Sequence, residues 1–350
     1  MIVWNKKKTA GHYSDMETSH YCEEVKYMIS IRTDLAMEAR EIYGQQSDDM
    51  AGIESESYRD NGIEITRVRI TSPSGEQKVG KPMGNYITIE AAGIRDRNPE
   101  YDELVSQKLS QEIKGLLDIN KDSNILIVGL GNWNITPDSL GPKVVDRVMV
   151  TRHILELIPD QVDERVRAVC AIAPGVLGIT GIETGEIIRG VVDRVKPHGV
   201  IVIDALASRK TQRIGTTIQI ADTGINPGSG IGNKRMGINQ ETLGVKTIAI
   251  GVPMVVYAHT IGRDSLDIII REFSNQATPG TEFYKMLKGM DQQQLDSMVN
   301  QVLSQDLGDL VVTPKEVDIL IDDIAGIIGD GLNLALHDNI SLEESRRFMH

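Results

Sequence analysis

Five short apolar runs constrain the fold of this chain more than any other feature, because each is followed by a loop rich in glycine, proline or aspartate. Short apolar runs bounded in this way are typical of buried strands. Helical patterns near residues 143–157, 183–195 and 259–273 fill the gaps, and strands that alternate with helices predict a covered sheet. We therefore expect an α/β fold with a mixed, mostly parallel sheet and helices on both faces. The predicted strands are Ile125–Val128, Ala168–Ile172, Val200–Ile203, Thr217–Ile220 and Thr247–Ile250.

Outside these strands and helices, the sequence predicts an amino-terminal leader, a small β-hairpin at the edge of the domain and a polar insertion near the carboxyl terminus. Residues 1–34 are mostly polar and predict a loosely docked leader, followed by a single domain over residues 35–350. Apolar alternation on either side of a Ser-Pro-Ser-Gly turn predicts a small β-hairpin or meander over about residues 62–94, at the edge of the main domain. Residues 275–316 are polar and rich in glutamine, which indicates an excursion before one or two terminal helices at residues 317–336.

Charge and composition exclude several classes of protein. The net charge of −13 argues against broad nucleic-acid binding, which needs a basic face. The amino-terminal residues lack the apolar core of a signal peptide, and no apolar run approaches the roughly 18 residues that a membrane helix needs. Cys22 and Cys170 have no partner at metal-ligand spacing. We therefore expect a reducing, cytoplasmic-type compartment, with neither a membrane nor a nucleic acid as partner.

The stretch NILIVGLGNWNITPDSLGP, residues 124–142, contains the first candidate site residue. Its strand is followed by Gly129 and Gly131, which let the backbone turn sharply, and then by Asp138. Open α/β sheets place their ligands beyond the carboxyl ends of the strands, so Asp138 is predicted to lie at a site, with Asn132 as substrate-binding or loop-supporting residue. The alternative is that Asp138 only caps the helix that follows.

Asp204 directly follows the apolar run Val200–Ile203 and is the second candidate. A carboxylate at the end of a buried strand is costly unless it is paired or protonated, so Asp204 is either functional or held in a helix cap or a salt bridge to Arg209. Two carboxylates that converge from different strand ends and share a proton can activate water and protonate a leaving amine. Asp222, at the next strand end, is expected to orient the loop behind it.

That loop, residues 226–235, is rich in glycine and ends in the cations Lys234 and Arg235. Through Gly228 and Gly230 its backbone can form an anion-binding nest or bind a peptide backbone, and a flexible surface loop is the alternative. The GxxxxGK[ST] pattern of a P-loop is absent, as are GxSxG, HExxH and CxxC. The sequence therefore predicts neither a cofactor nor a metal.

The motifs together closely resemble the germination protease family of endospore-forming bacteria. The resemblance runs from about Ser30 to Phe273 through GLGNWNITPDSLGP, IAPGVLGITGIET, IVIDALASR, QIADTGINPGSGIGNKR and AIGVPMVV, and returns in VTPKEVDILIDDIAGIIGDGLNLALH. It implies an unusual aspartic endopeptidase, so that residues 35–350 would form one peptidase domain with a fold like the hydrogenase maturation proteases. Motif by motif, it places the two catalytic aspartates on Asp138 and Asp204.

The resemblance also implies a biological setting. Members of the family start the degradation of small acid-soluble spore proteins at germination, are homotetramers and are made as zymogens in the developing spore. We therefore expect spore proteins as substrates, a homotetramer, and a location in the cytoplasm of the forespore and in the spore core. The chain departs from the family in a leader that is long and carries Lys6, Lys7 and Lys8.

Two other functions stay open at this point. Related folds bind a metal at the same strand ends, so one alternative is a metal-dependent maturation-type protease. Carboxylates alone would then favour Mg²⁺ or Ca²⁺, and sensitivity to a chelator would identify this function. The other alternative is a non-catalytic peptide-binding protein that has kept the loops, which a cleavage assay separates from a protease.

The segment Arg32–Ala39 contains the predicted cleavage site of the leader. The acidic Asp34 precedes the apolar Leu35 and a small residue, a pattern similar to that at which the spore proteins are cut. We therefore expect the chain to be its own first substrate and to be cut between Asp34 and Leu35. The alternative is that Thr33 and Asp34 only cap a helix.

Overall fold

A mixed sheet of nine strands is the framework of the part of the chain that the structure describes. This computed structural model describes residues 33–39, 41, 52–226, 236–277, 281–282 and 310–348. The strands are β1 (Ile53–Asp60), β2 (Ile63–Ile70), β3 (Gly84–Glu90), β4 (Asn124–Gly129), β5 (Ala168–Ile172), β6 (Gly199–Ser208), β7 (Thr217–Ala221), β8 (Lys246–Tyr257) and β9 (Val311–Val312). The helices are α1 (Pro73–Val79), α2 (Pro99–Leu116), α3 (Leu140–Val145), α4 (Arg152–Leu157), α5 (Leu177–Thr180), α6 (Thr184–Val195), α7 (Gln240–Leu243), α8 (Ala258–Gln276), α9 (Val317–Leu336) and α10 (Leu342–Phe348).

The strand order confirms the α/β class and the mixed sheet. It runs β1-β2-β3-β7-β8-β6-β4-β5, with β9 pairing with the end of β8. The strands β8, β6, β4 and β5 pair in parallel, whereas antiparallel pairs extend the sheet from β8 to β1. As a result β4 and β6 lie side by side, with Gly129 opposite Ile203, and their carboxyl ends reach the same edge.

Helices cover both faces of the sheet, because alternate residues of each central strand point to opposite faces. On one face, Ile125 and Ile127 of β4 belong to a buried cluster with α2, α3 and α9. On the other face, Leu126 and Val128 pack in a second cluster with Ile188 of α6. The predicted helices on both faces are therefore present. None of the helices in the described ranges has the length and apolar character that crossing a bilayer requires.

The structure differs from the sequence-based expectation on its antiparallel side. The predicted hairpin lies within a three-stranded meander, β1 to β3, which joins the main sheet through the pairing of β3 with β7. The predicted turn after β2 is the start of α1, because Ser72 Oγ accepts the Gly75 N–H at 3.2 Å and Pro73 occupies the first turn. The single helix expected near residues 143–157 is two short helices, α3 and α4.

Most of the predicted leader and of the predicted excursion lies outside the described residues. Only Thr33 and Asp34 of the leader are described, and the excursion is described at 275–277, 281–282 and 310–316. These domain assignments therefore stay predictions.

His337, directly after α9, is a buried histidine whose ionisation is tied to folding. Its side chain is 1% exposed, and its Nδ1 accepts the N–H of Arg167 at 3.1 Å. The proton of the neutral ring is then on Nε2, for which no acceptor lies among the described residues. Burial, reinforced by the Arg167 guanidinium, lowers the pKa of His337 to about 4.

We expect the free energy of unfolding to fall as the pH is lowered from about 6.5 to 4. In that range the unfolded chain binds a proton at His337 that the folded chain does not, so acid favours unfolding and the stability is regained as the pH rises. The difference between the two pKa values corresponds to about 3 kcal/mol at most. His337→Asn, whose Oδ1 can accept the same N–H, should lose less stability over this range. Urea unfolding of the wild type and of His337→Asn between pH 4 and about 6.5 measures the effect. The same pH dependence of the free energy of unfolding in both proteins would contradict it.

Candidate active site

A cleft of about 550 Å³ at the carboxyl ends of β4 and β6 brings several predicted site residues together. Asp138, Asp204, Asn132 and Asp34 all line it. The two aspartates reach it from neighbouring parallel strands, Asp138 from the loop after β4 and Asp204 from β6 itself. The cleft therefore holds two carboxylates of the kind that acid–base chemistry requires.

The loop after β4 positions Asp138 by close backbone packing. Gly131 has φ +111°, and a Cβ added there would lie 1.9 Å from the Asp138 carbonyl oxygen, so this position requires glycine. The Asn132 N–H donates to the same carbonyl at 3.0 Å, and the Asp138 N–H donates to the Ile135 carbonyl at 2.8 Å. Asn132 Oδ1 also accepts the Asn134 N–H at 2.9 Å, so Asn132 braces the loop with both its backbone and its side chain.

Asp204 lies within a strand rather than after one. β6 continues to Ser208, and Asp204 pairs with Gly251 of β8, so the predicted end of the strand at Ile203 is wrong. Its Oδ1 accepts the N–H of Ala205 at 2.9 Å. Arg209, considered above as a partner of Asp204, forms an ion pair with Asp264 at 2.7 Å.

The extension of β6 has an edge that β4 does not cover. The last bond between the two strands runs from the Leu130 N–H to the Ile203 carbonyl at 2.8 Å, and β4 then turns away. Asp34 takes up the edge further along. Its N–H donates to the Ala207 carbonyl at 3.0 Å, and its Oδ2 accepts the Ala207 N–H at 2.8 Å. The segment at the predicted cleavage site is thus bound to the edge of β6 three residues beyond Asp204.

Side chains around Asp34 enclose the predicted scissile bond. Leu35 is fully buried, and its N–H donates to Thr33 Oγ1 at 3.2 Å, ahead of a helical turn at residues 36–39. Thr33 thus forms a turn just before the helical residues, whereas the Asp34 carboxylate binds β6. The cleavage between Asp34 and Leu35 itself stays a prediction.

Glu38 fixes the same segment to the turn that follows β6. Its side chain is 1% exposed and forms an ion pair with Arg213 at 2.9 Å. It also accepts the backbone N–H groups of Arg209 at 2.7 Å and Lys210 at 3.2 Å, so the carboxylate is well satisfied. Arg213 additionally pairs with Glu41 and Glu90, each at 2.8 Å. Burial alone would raise the pKa of Glu41, but its hydrogen bonds to Arg213 and Lys210 prevail and lower it.

The remaining predicted residues lie apart from this group. Asp222 accepts the N–H of Asn85 at 2.8 Å and the Asn85 side-chain amide at 2.6 Å, which joins the end of β7 to the start of β3. The loop-supporting and substrate-binding residues Gly228, Gly230, Lys234 and Arg235 lie outside the described residues, and their roles stay predictions.

Two further polar residues of the cleft, Lys81 and Gln219, were not predicted. Lys81 Nζ and Gln219 Nε2 donate to the Asp34 carbonyl at 3.1 Å and 3.2 Å, and Gln219 Oε1 accepts the Ala36 N–H at 2.6 Å. The signal for Gln219 was a polar residue within the apolar strand sequence TIQIA, where it is only 9% exposed. Lys81 lies in an irregular turn, and nothing in its local sequence distinguishes it. Burial lowers the pKa of Lys81, against the opposing effect of Asp34.

The surroundings of the cleft suit an extended peptide better than a small charged ligand. Ile135, which lines the cleft, is 53% exposed, and this places apolar surface at the rim. Within the described ranges, no group of three or more His, Cys, Asp or Glu side chains is arranged to hold a metal ion. Two carboxylates, an apolar rim and a strand edge together provide the elements for acid–base chemistry on a peptide bond.

Comparisons with known proteins point to one family. The model described as germination protease matches residues 31–289 and 275–349. The germination protease of Caldanaerobacter subterraneus subsp. tengcongensis is 50% identical over 323 residues, covering 92% of this chain and 99% of that protein. Its counterpart in Clostridium tetani is 47% identical, covering 92% and 100%, and that of Bacillus subtilis is 43% identical, covering 91% and 97%. Among solved structures, a NiFe hydrogenase maturation protease from Thermococcus kodakarensis is similar at 18% identity and a TM-score of 0.27. The match covers 55% of this chain and 99% of the Thermococcus chain.

Proposed function

The chain belongs to the germination protease family and is therefore a protease, and from this premise we propose that it is an aspartic endopeptidase that starts the degradation of small acid-soluble spore proteins at germination. One observation carries the proposal beyond the family name. Asp138 and Asp204 line the same cleft as Asp34, the residue before the predicted cleavage site. A pair of carboxylates and a peptide segment thus occupy one site.

In the proposed mechanism the two carboxyl groups share one proton. The ionised group removes a proton from a water molecule, which attacks the carbonyl carbon of the scissile peptide bond. The protonated group first hydrogen-bonds the carbonyl oxygen and then supplies the proton that the leaving amine needs. The short turn around Gly131 and the pairing of β6 with β8 hold the two groups from separate strands, so neither depends on a flexible loop.

The edge of β6 at Ala207, where Asp34 is bound, supports the same proposal. A peptide that adds to a sheet edge gains main-chain hydrogen bonds that do not depend on its sequence, while pockets for individual side chains give specificity. Asp34 makes one such bond, from its N–H to the Ala207 carbonyl, and its side-chain Oδ2 accepts the Ala207 N–H. Spore proteins with an acidic residue before an apolar one would bind in the same manner.

The proposal includes the life cycle that the family resemblance implies. The chain is made in the forespore cytoplasm as a zymogen, removes its own leader by cutting between Asp34 and Leu35, acts in the spore core and forms a homotetramer. A leader held against β6 would keep other peptides out of the cleft, which accounts for inactivity before the cut. Light scattering at micromolar concentration tests the tetramer, and a monomer would contradict it.

Incubation of the purified full-length chain with a small acid-soluble spore protein tests the function directly. We expect fragments that end in an acidic residue, and a mature protein whose sequence begins at Leu35. The reaction should be unaffected by a chelator, since the proposed chemistry needs only the carboxyl groups and water. Inhibition by the chelator would favour the metal-dependent alternative. Intact spore protein under all conditions would favour a non-catalytic peptide-binding protein, and Met1 on fully active enzyme would refute the zymogen.

A further inference from the structure

The main-chain carbonyl of Asp34, which belongs to the bond predicted to be cut, accepts hydrogen bonds from two side chains. Lys81 Nζ donates to its oxygen at 3.1 Å, and Gln219 Nε2 donates at 3.2 Å. The donors come from separate parts of the fold, because Lys81 lies in the turn between α1 and β3 and Gln219 lies in β7. A neutral carbonyl gains little from a positive donor, whereas the oxyanion that forms when water attacks the carbonyl carbon gains much more from it.

Gln219 spans the predicted scissile bond with the two ends of its side-chain amide. Its Oε1 accepts the Ala36 N–H at 2.6 Å, two residues beyond the carbonyl that its Nε2 binds. An N–H can only donate and a carbonyl oxygen can only accept, so these two partners fix which end of the amide faces the Asp34 carbonyl. Both bonds are to the main chain, so they would align any peptide in this place, whatever its side chains.

The pairing of the central strands places Gln219 in line with Asp204. Gln219 lies opposite Gly251 of β8, and Gly251 lies opposite Asp204 of β6, so the three residues form one row across the sheet. Residues opposite each other point to the same face, and Gly251 has no side chain to separate the other two. With strands about 4.8 Å apart, the Cα atoms of Gln219 and Asp204 are about 10 Å apart. A carbonyl bound by Gln219 therefore lies over the face that presents Asp204.

The surroundings of Lys81 strengthen the effect of its charge. Lys81 is half-buried, and this burial lowers the pKa of its ammonium group, while the Asp34 carboxylate opposes the shift. A poorly hydrated charge interacts more strongly with a second charge beside it, because fewer water dipoles screen the pair. Lys81 would therefore stabilise an oxyanion at the Asp34 carbonyl more than a fully exposed ammonium group could.

We propose that Lys81 and Gln219 form an oxyanion site, which polarises the carbonyl of the bond to be cut in the leader and in protein substrates. The oxyanion site rests on the proposed protease function and adds to it two residues that bind the reacting oxygen. In the uncut chain the Asp34 carbonyl occupies the site. Cleavage leaves Asp34 on the departing fragment, so the site becomes free for the next peptide.

The role of the oxyanion site follows from the movement of electrons and protons in the proposed mechanism. As water loses a proton to the ionised carboxyl group and bonds to the carbonyl carbon, the π electron pair of the carbonyl moves to its oxygen. The negative charge then lies between the Lys81 ammonium and the Gln219 amide, which both keep their protons. An oxyanion has three lone pairs, so the protonated carboxyl group can bind it at the same time. When the pair returns, the bond to the Leu35 nitrogen breaks, and that nitrogen takes its proton from the carboxyl group.

Removal of the leader tests the oxyanion site, because the segment to be cut is already bound and the first-order rate of leader loss then measures the chemical step. Lys81→Met and Gln219→Met in the full-length chain should each slow the cut about 100-fold, the usual result of losing one donor to an oxyanion. Lys121→Met, which removes a surface ion pair with Glu164, is the matched control and should cut at the wild-type rate.

Hydrogen exchange distinguishes this role from simple anchoring of the leader. It is measured on the amides of residues 33–39 in the inactive Asp204→Asn protein, in which the segment stays uncut. A bond to a neutral carbonyl contributes less than a bond to an oxyanion, so adding Lys81→Met should raise exchange by a much smaller factor than it slows the cut.

The outcomes separate the oxyanion site from the protease function. Wild-type rates of leader loss in both variants, or a rise in exchange as large as the fall in rate, would overturn the site and leave the function standing. If the wild type cuts a spore protein but keeps its leader, kcat for the spore protein should fall about 100-fold with KM nearly unchanged, and a change in KM alone would overturn the site. A wild type that cuts neither would refute the protease function itself.

Discussion

Asp138→Asn and Asp204→Asn should each reduce cleavage of a spore protein by about 100-fold or more, while the fold and the assembly stay intact. Asparagine keeps the shape and most hydrogen bonds of aspartate, so Oδ1 of residue 204 can still accept the Ala205 N–H. It cannot take a proton from water at neutral pH, which is the step that the proposed pair performs. Both variants should also keep the full leader, because self-processing uses the same pair.

The measurement is the initial rate of fragment appearance, together with circular dichroism and light scattering to verify the fold and assembly. Asp118→Asn, at an exposed position after α2, is the control and should retain wild-type activity. Near-wild-type cleavage by either active-site variant in its normal assembly would show that the pair has been wrongly assigned. Loss of activity together with loss of structure would call for Asp→Glu variants, which keep the charge and should remain folded.

Arg213→Met should lower the free energy of unfolding by about 3–5 kcal/mol, the usual result of removing one partner of a buried ion pair. Arg213 binds three carboxylates, and Glu38 is almost completely inaccessible to water. Methionine fills similar volume but leaves the Glu38 carboxylate without a cation, with the N–H groups of Arg209 and Lys210 and the Thr33 hydroxyl as its donors. Since Glu38 also fixes the segment after the predicted cut, this segment should become more accessible to added proteases before the rest unfolds.

Arg69→Met is the matched control for this variant. Arg69 is 65% exposed and 3.9 Å from an equally exposed Glu54, and exposed pairs contribute within about 1 kcal/mol. Urea unfolding at neutral pH compares the two variants with the wild type. A loss in Arg213→Met no larger than that in Arg69→Met would mean that the buried pair does not determine local stability.

The central strands could be predicted from the sequence because burial on both faces leaves continuous apolar runs that glycine and aspartate terminate. The strand β1 could not. Its sequence IESESYRD is largely exposed, and its pairing with β2 supplies the ordering that its composition lacks. Asp204 was predicted to follow its strand because a carboxylate normally marks the end of an apolar run. Pairing with β8 carries β6 through that position, and such long-range pairing leaves no local trace.

The candidate site was predictable in part for the same reason. Asp138 and Asp204 each follow an apolar run, and these runs form the neighbouring strands β4 and β6, so the topology brings both residues to one cleft. Lys81 and Gln219 reach the cleft from a turn and from an antiparallel strand, whose placement depends on the meander that joins β7. Gln219 could have been noticed, because it is a polar residue within the apolar strand sequence TIQIA. The partners of Glu38 could not, because Arg209 and Lys210 lie in a turn about 170 residues away in the chain. No sequence pattern encodes such a pairing.

The short docked segment has a consequence for how the protein should be produced. Asp34 and Glu38 both bind this segment to the rest of the protein, and they lie on opposite sides of the predicted cut. After the cut Glu38 would still hold the new amino terminus near the cleft. A gene trimmed to begin at Leu35 would add an initiator methionine in the place of Asp34. Its thioether is a poor acceptor for the Ala207 N–H and would occupy the space that the proposed cleavage would empty. Enzyme for assays is better expressed whole, with its purification tag at the carboxyl terminus.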